Sequence, residues 1–233
     1  IIFCGMSSHS QKTKIGFPLK ETFSALSLIS RNKARIFSGL ILVALLAILL
    51  IPSFSLALGN IFFGDIKPLY NVRLAQLFYK HSAYPLFSKF PARYSHYQLS
   101  RTYFIQGQYM AALDEAESEL KIYPDDTRTY YILGLTNGYM NRTYEAIDDF
   151  SHYIEANPGT WAGRNDKAWL QFRIGDIDGA LETIEPIVKN FKYTPWVQNT
   201  YCALLINKER YSEAQQACNA AKEIVDKMTE KDW

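Results

Sequence analysis

Chemistry in this chain would have to use His81, His96 and His152, the cysteines Cys4, Cys202 and Cys218, or the carboxylates gathered between Asp114 and Asp126. A metal needs such groups at short, regular spacing, and no CxxC or cysteine/histidine pairing occurs. These three of the chain's four histidines are scattered, with no partner acid or cysteine at ligand spacing, and read as solvated or packing side chains. Asp114, Glu115, Glu117 and Glu119 lie along one helix and read as its solvated face, while Asp125 with Asp126 caps the next turn. No phosphate-cradling glycine loop, nucleophile elbow or metal motif is present. The expectation is a protein that is not an enzyme, with no cofactor, no metal and no small-molecule substrate.

The elements that must carry these residues are of two kinds. From Ile36 to Leu58 the sequence is uncharged and holds nothing more polar than serine. As one helix it would extend roughly 34 Å at about 1.5 Å per residue, enough for a hydrocarbon core of about 30 Å. A transmembrane helix over 36–58 is therefore expected, with Pro52 kinking or ending it near its outer end. A cleaved signal peptide is the competing reading, with Ser53, Ser55 and Ala57 as the small residues of a cleavage site. Lys12, Lys14, Lys20, Arg31, Lys33 and Arg35 precede the run against the single acid Glu21, so the net charge of +2 hides a basic N-terminal flank. Such flanks stay cytoplasmic, which predicts a cytoplasmic segment 1–35 and an extracytoplasmic remainder, a bacterial inner membrane being favoured. Leu19, Phe23, Leu26 and Ile29 have near-helical spacing within 15–30, compatible either with an amphipathic helix on the membrane or with a disordered tail. With the positive charge concentrated there, nucleic acid is not expected as a partner.

Beyond the apolar run the chain repeats itself. Ala112, Ala146, Ala180 and Ala214 stand thirty-four residues apart, and Ser100, Gly134, Ala168 and Cys202 keep the same period. Gly107, Asn141, Gly175 and Glu209 align as well, as do Leu99 with Leu133 and Pro124 with Pro158. Two antiparallel helices per unit explain this register: small residues where the backbones approach, Gly or Asn at the turn, and proline ending the second helix. Residues 130–158, YYILGLTNGYMNRTYEAIDDFSHYIEANP, resemble the tetratricopeptide repeat, and the resemblance runs from about Ala92 to the end. It implies an all-α solenoid of about four helical hairpins over 92–233, in units near 93–126, 127–160, 161–194 and 195–228. Units three and four depart from the pattern, with Lys192 in place of the closing proline and Cys218 where a large apolar residue is usual. Residues 59–91 read as a connector with a capping helix at 66–82; a degenerate extra repeat is the alternative, but the frame puts Phe78 where its alanine should be.

In such arrays the first helix of each unit lines the concave wall. The frame assigns to it Tyr94, Tyr97, Arg101, Phe104 and Ile105, then Arg128, Tyr131, Leu135 and Tyr139. Units three and four add Asn165, Trp169, Phe172 and Arg173, and Trp196, Asn199, Ile206 and Asn207. Of these, Tyr94, Tyr97, Arg101, Arg128, Tyr131, Tyr139, Asn165, Trp169, Arg173, Trp196 and Asn199 are the partner-binding candidates, since aromatics, arginines and amides suit an extended polypeptide. Packing between helix pairs is the rival role for the aromatics. Relatives that grip a terminal carboxylate use lysines and asparagines on this wall, and that specialisation is not expected here. Cys202 and Cys218 fall between the helices of the last unit, either as buried thiols or, in an oxidising compartment, as a bridge. Two functions follow from the resemblance: a membrane-anchored scaffold or assembly subunit with protein partners, or a membrane-bound receptor or holdase for extended polypeptides.

Overall fold

The computed structural model describes residues 33, 35–46, 50–65, 69–86 and 88–229. They divide into two units at 47/48, considered separately below. In the first, residues 35–46 are helical, and Ile36, Phe37, Leu40 and Val43 lie exposed along it. The segment 15–30 and Cys4 lie outside the described residues.

The second unit is a run of antiparallel helix pairs, the last four of them built on the turn chemistry read from the sequence. Its helices are α1 (Pro52–Asn60), α2 (Val72–Ala83), α3 (Ser95–Ile105), α4 (Tyr109–Ile122) and α5 (Thr129–Tyr139). They continue with α6 (Thr143–Ala156), α7 (Trp161–Arg173), α8 (Ile177–Val188), α9 (Pro195–Asn207) and α10 (Tyr211–Lys227). At the turn between the helices of each of the last four pairs, φ is 72° at Gly107, 61° at Asn141, 82° at Gly175 and 59° at Glu209. That left-handed conformation lets the next residues reverse direction within the last turn of the helix, and only Glu209 adopts it with a long side chain. Each periodic alanine is the fourth residue of its second helix and is buried: Ala112, Ala146, Ala180 and Ala214. The small residue of the first helix faces that place. Ser100 donates its hydroxyl to the Ala112 carbonyl at 2.7 Å, and a Cβ on Gly134 would stand 2.8 Å from the Phe150 ring.

Two expectations need correction. The single helix over 36–58 does not form: Ile51 is extended (φ −119°, ψ 96°) and Pro52 opens α1 as its first residue. Proline lacks the N–H that a continuing helix would use, so it ends one helix and starts the next. Among the described residues no helix is long and apolar enough to cross a membrane. The helix expected at 66–82 as a cap is instead the second half of a fifth hairpin, α1/α2. Its alanine exists: Ala75 is the fourth residue of α2 and fully buried, but it precedes Ala112 by thirty-seven residues, since the connector over 84–94 is longer than those that follow. Tyr79, one turn on, packs against Gly59 and donates to Asn60 Oδ1 at 2.9 Å, while Phe78 stacks on Phe62.

The last hairpin is closed differently, by a disulfide between Cys202 and Cys218 with Cα atoms 5.2 Å apart. Of the two alternatives drawn from sequence, the bridge is the one present.

Glu209→Gly removes the left-handed penalty of a residue with a Cβ at the last turn. The variant is expected to gain about 1 kcal/mol of stability, read as a raised urea midpoint; an unchanged or lowered midpoint would contradict the turn assignment.

Candidate functional site

The first helices of successive units touch one another, α3 with α5, α5 with α7 and α7 with α9, so their outward faces form one wall. The sequence candidates fall on it in three groups. In the first, Arg128 lies 3.7 Å over the Tyr94 ring and 5.3 Å from that of Tyr97, while Arg101 covers Phe63 at 4.7 Å and Tyr97 at 5.7 Å. Burial raises the pKa of the Tyr97 hydroxyl, against the pull of Arg101 and Arg128. These four residues spend their faces on each other, which is the packing role.

The second group surrounds an open cavity of about 440 Å³ between α5 and α7, lined by Leu135, Tyr139, Asp166, Trp169, Leu170 and Arg173, with Gly134, Gly138, Asn141 and Phe150 completing it. Tyr139 is 63% exposed and Trp169 41%. The cavity has a definite cause. Gly138 is in register with Phe104, Phe172 and Ile206, so unit two lacks the large apolar side chain that every other unit carries at this place. A Cβ there would meet Leu170 and Ala146 at 3.8–3.9 Å, ordinary contact, so the space is vacant by side-chain choice and not by backbone necessity. Tyr131 stands behind it: its hydroxyl donates to Asp166 Oδ2 at 2.9 Å and its ring packs on Phe150 and Tyr153. Burial raises the pKa of Asp166, opposed by the bonds from Tyr131 and Asn165. Asn165 is buried and donates to Asp166 Oδ1 at 3.2 Å, which makes it a support for the wall and removes it from the surface. Among the described residues no ion pair is made by Arg173, which leaves a cation at the cavity rim.

The third group, Trp196 and Asn199, lines a separate cavity at the end of the last hairpin, beside the disulfide, with Trp196 stacked on Trp161 at 5.8 Å. The wall therefore does not offer eleven equivalent contacts. Sequence reasoning missed Gly138, Asp166 and Leu170; the break in the Phe104, Phe172 and Ile206 register was the available signal.

The titratable groups set aside at the outset are more organised than their spacing suggests. His96 Nδ1 lies 2.6 Å from Glu115 Oε2 in the interior, and the Tyr84 hydroxyl donates to Glu115 Oε1 at 2.8 Å. Glu119, fully buried, accepts the backbone N–H groups of Tyr94 (2.6 Å) and Tyr97 (3.1 Å), so it caps α3 from α4. The solvated-face expectation thus fails for Glu115 and Glu119, because the hairpin turns that side of α4 onto the start of α3. His152 lies 3.7 Å from Asp148, one helical turn away. The expected cap by Asp126 does not form: its buried carboxylate accepts from Thr129 Oγ1 at 3.1 Å, and no side chain caps the first backbone N–H groups of α5. Among the described residues no three metal-ligating side chains cluster.

No family model matches the chain, and neither does any curated protein sequence. Solved structures do. YrrB, described as a TPR protein with an unusual peptide-binding site, superposes with a TM-score of 0.59 at 17% identity over 75% of this chain and 86% of that one. MamA matches with a TM-score of 0.59 at 20% identity, over 72% of this chain and 95% of its own. A double mutant of MamA from RS-1 gives 0.62 at 14% identity, over 74% and 95% of the two chains. The chain has a tetratricopeptide-like helical repeat fold.

In the hairpin that frames the cavity, Asn137 donates to Asp149 Oδ2 at 2.8 Å, and burial pushes the Asp149 pKa up from 3.8 to about 6. The native state then keeps a proton that the unfolded chain has already released. Its contribution is full below pH 3.8 and lost as pH rises through about 6, a change of about 2–3 kcal/mol. Asp149→Asn should flatten stability across that window and raise it at pH 7, as followed by urea titration; a variant with the parent's pH profile would contradict the assignment.

Proposed function

We propose that this chain is a membrane-anchored protein-interaction scaffold, an assembly subunit of a membrane complex, which takes an extended segment of a partner polypeptide on the wall of first helices. The observation that carries the reading is the cavity opened by Gly138, where Tyr139 and Trp169 present exposed rings and Arg173 an unpaired cation. Rigid aromatics around an open apolar pocket that a ligand would desolvate, with a charge at the rim, are the make-up of a binding hot spot. The peptide-binding description of YrrB points the same way. A bulky apolar side chain flanked by an acidic group is the complementary ligand. No bond-making chemistry enters this reading.

Anchoring is supported by the exposed apolar helix over 35–46 and by the basic flank before it. With the break at Ile51, the run before it shortens to 36–50, about 22 Å if taken wholly as a helix, and Lys33 and Arg35 complete the crossing by extending to the headgroups. The topology with a cytoplasmic N-terminus and an extracytoplasmic array, for which a bacterial inner membrane is the favoured setting, is supported by the Cys202–Cys218 bridge, which persists in oxidising compartments.

Two experiments test the two halves. Gly138→Leu fills the cavity and favours helix by about 0.5–1 kcal/mol, so the variant should fold and yet lose the partners that copurify with the full chain after gentle detergent extraction. Trp169→Ala with Arg173→Ala should weaken the same association by about 30-fold, the effect of removing about 2 kcal/mol of hot-spot energy. Partner recovery unchanged in both variants would exclude the cavity as the binding site. For topology, a C-terminal reporter active only outside the cytoplasm should be active, and peptide mapping without reductant should recover residues 202 and 218 in one bridged species; a cytoplasmic reporter signal would overturn the orientation.

A further inference from the structure

The loop joining α2 to α3 has no counterpart among the other connectors. It leaves α2 at Ala83 and enters α3 at Ser95, yet its two ends meet: Ser82 and Ser95 share a hydrogen bond at 2.6 Å, and Ser82 donates to the Pro52 carbonyl at 2.7 Å. Both feet of the loop therefore stand beside the residue at which the apolar run enters the array. Its tip turns apolar side chains outward, with Leu86 73% and Phe90 63% exposed, and Lys89 lies 5.6 Å over the Phe90 ring. Pro85 and Pro91 stiffen the two flanks, and the Pro91 carbonyl accepts from Tyr123 at 2.9 Å. Tyr84 is fixed by its bond to Glu115 while its ring stays exposed. A Leu and a Phe left mostly exposed on a stiff tip contribute little packing within the fold, and water is a poor solvent for them.

We infer that this loop is a bilayer-contacting element: Leu86 and Phe90 enter the boundary between headgroups and acyl chains, with Lys89 reaching the phosphates. The inference rests on the membrane anchor proposed above. Leu86 is four residues from Ser82, whose hydroxyl bonds the Pro52 carbonyl, so its backbone lies within about 19 Å of that carbonyl at full extension. That carbonyl is one residue beyond the break at Ile51, so the tip is held within reach of the interfacial layer, which is about 5–8 Å thick on each side. Aromatic and cationic side chains at that depth are the usual anchors of a membrane-adjacent domain. The loop would fix the tilt of the array on the bilayer, a role that a single flexible tether cannot fill.

The test uses the full chain reconstituted into phosphatidylcholine/phosphatidylglycerol vesicles, with tryptophan introduced as L86W, F90W or, at an exposed position of the middle hairpin, Y144W, and with lipids brominated near the headgroup. The emission added at 86 and 90 should be mostly lost in brominated vesicles, and that added at 144 retained. Failure of the chain to float with vesicles would bring down the anchor and this inference together. Flotation with no quenching at 86 or 90 would overturn the loop assignment and leave the anchor intact. Shielding of these positions that rises with protein density but not with brominated lipid would assign the loop to a second copy, and would equally overturn it.

Discussion

The close approach of the two helices within each hairpin is the constraint on which the rest depends. Antiparallel helices can interlock this tightly only where one backbone carries little or nothing, and the chain meets that need with Ala75, Ala112, Ala146, Ala180 and Ala214, all buried at the same turn of the second helix. Opposite them stand Gly59, Ser100, Gly134, Ala168 and Cys202. What fills the remaining space varies: Tyr79 over Gly59, Phe150 over Gly134, Ile184 near Ala168. In these three hairpins a small residue stands against a large one while the identities change, whereas α3/α4 carries Ala116 at the corresponding place, so it is the small residues that preserve the periodicity.

The disulfide belongs to this series. Cys202 and Cys218 lie sixty-eight residues, two periods, beyond Gly134 and Phe150. The pair that elsewhere interlocks by shape is here joined by a covalent bond. Among the described residues this hairpin packs against one neighbouring helix pair, and the cross-link adds stability by closing a loop of 16 residues in the unfolded chain. Reading Cys218 as a departure from the family pattern was correct as sequence description. Its pairing with Cys202 was already open in the sequence, where the register set both between the last two helices, and the structure joins them.

The legible part of the fold was whatever obeyed the thirty-four-residue frame: four hairpins, their turns, and the wall of first helices. The α1/α2 hairpin was hidden by three inserted residues, since the argument against it relied on Phe78 holding a place that Ala75 occupies one turn earlier. Pro52 was noticed, but an uninterrupted apolar run outweighed it, although a missing N–H acts locally whatever the hydropathy around it. Glu115 and Glu119 were invisible as buried groups, because their partners, His96 and the backbone N–H groups of Tyr94 and Tyr97, are about twenty residues away in sequence and arrive only when the hairpin closes. At the candidate site the aromatics and arginines were legible and the vacancy was not. Residue type announces a side chain that is present more readily than one that is missing.

That vacancy separates two halves of one wall that composition alone would call alike. Around Tyr97 the arginines are stacked and the rings covered, so a ligand would have to displace contacts already made before gaining its own. Around Trp169 the large residue of the register is absent, Tyr139 is held edge-on against Phe104 at 5.2 Å, and Tyr131 is tied to Asp166, so the rings are fixed without being covered. A site that is already ordered and already open loses little side-chain entropy on binding and has no internal contacts to break. The two glycines four residues apart in α5 serve different ends in this arrangement. Gly134 has no room for a side chain, and its absence holds the hairpin together. Gly138 has room for one, and its absence leaves space for something else.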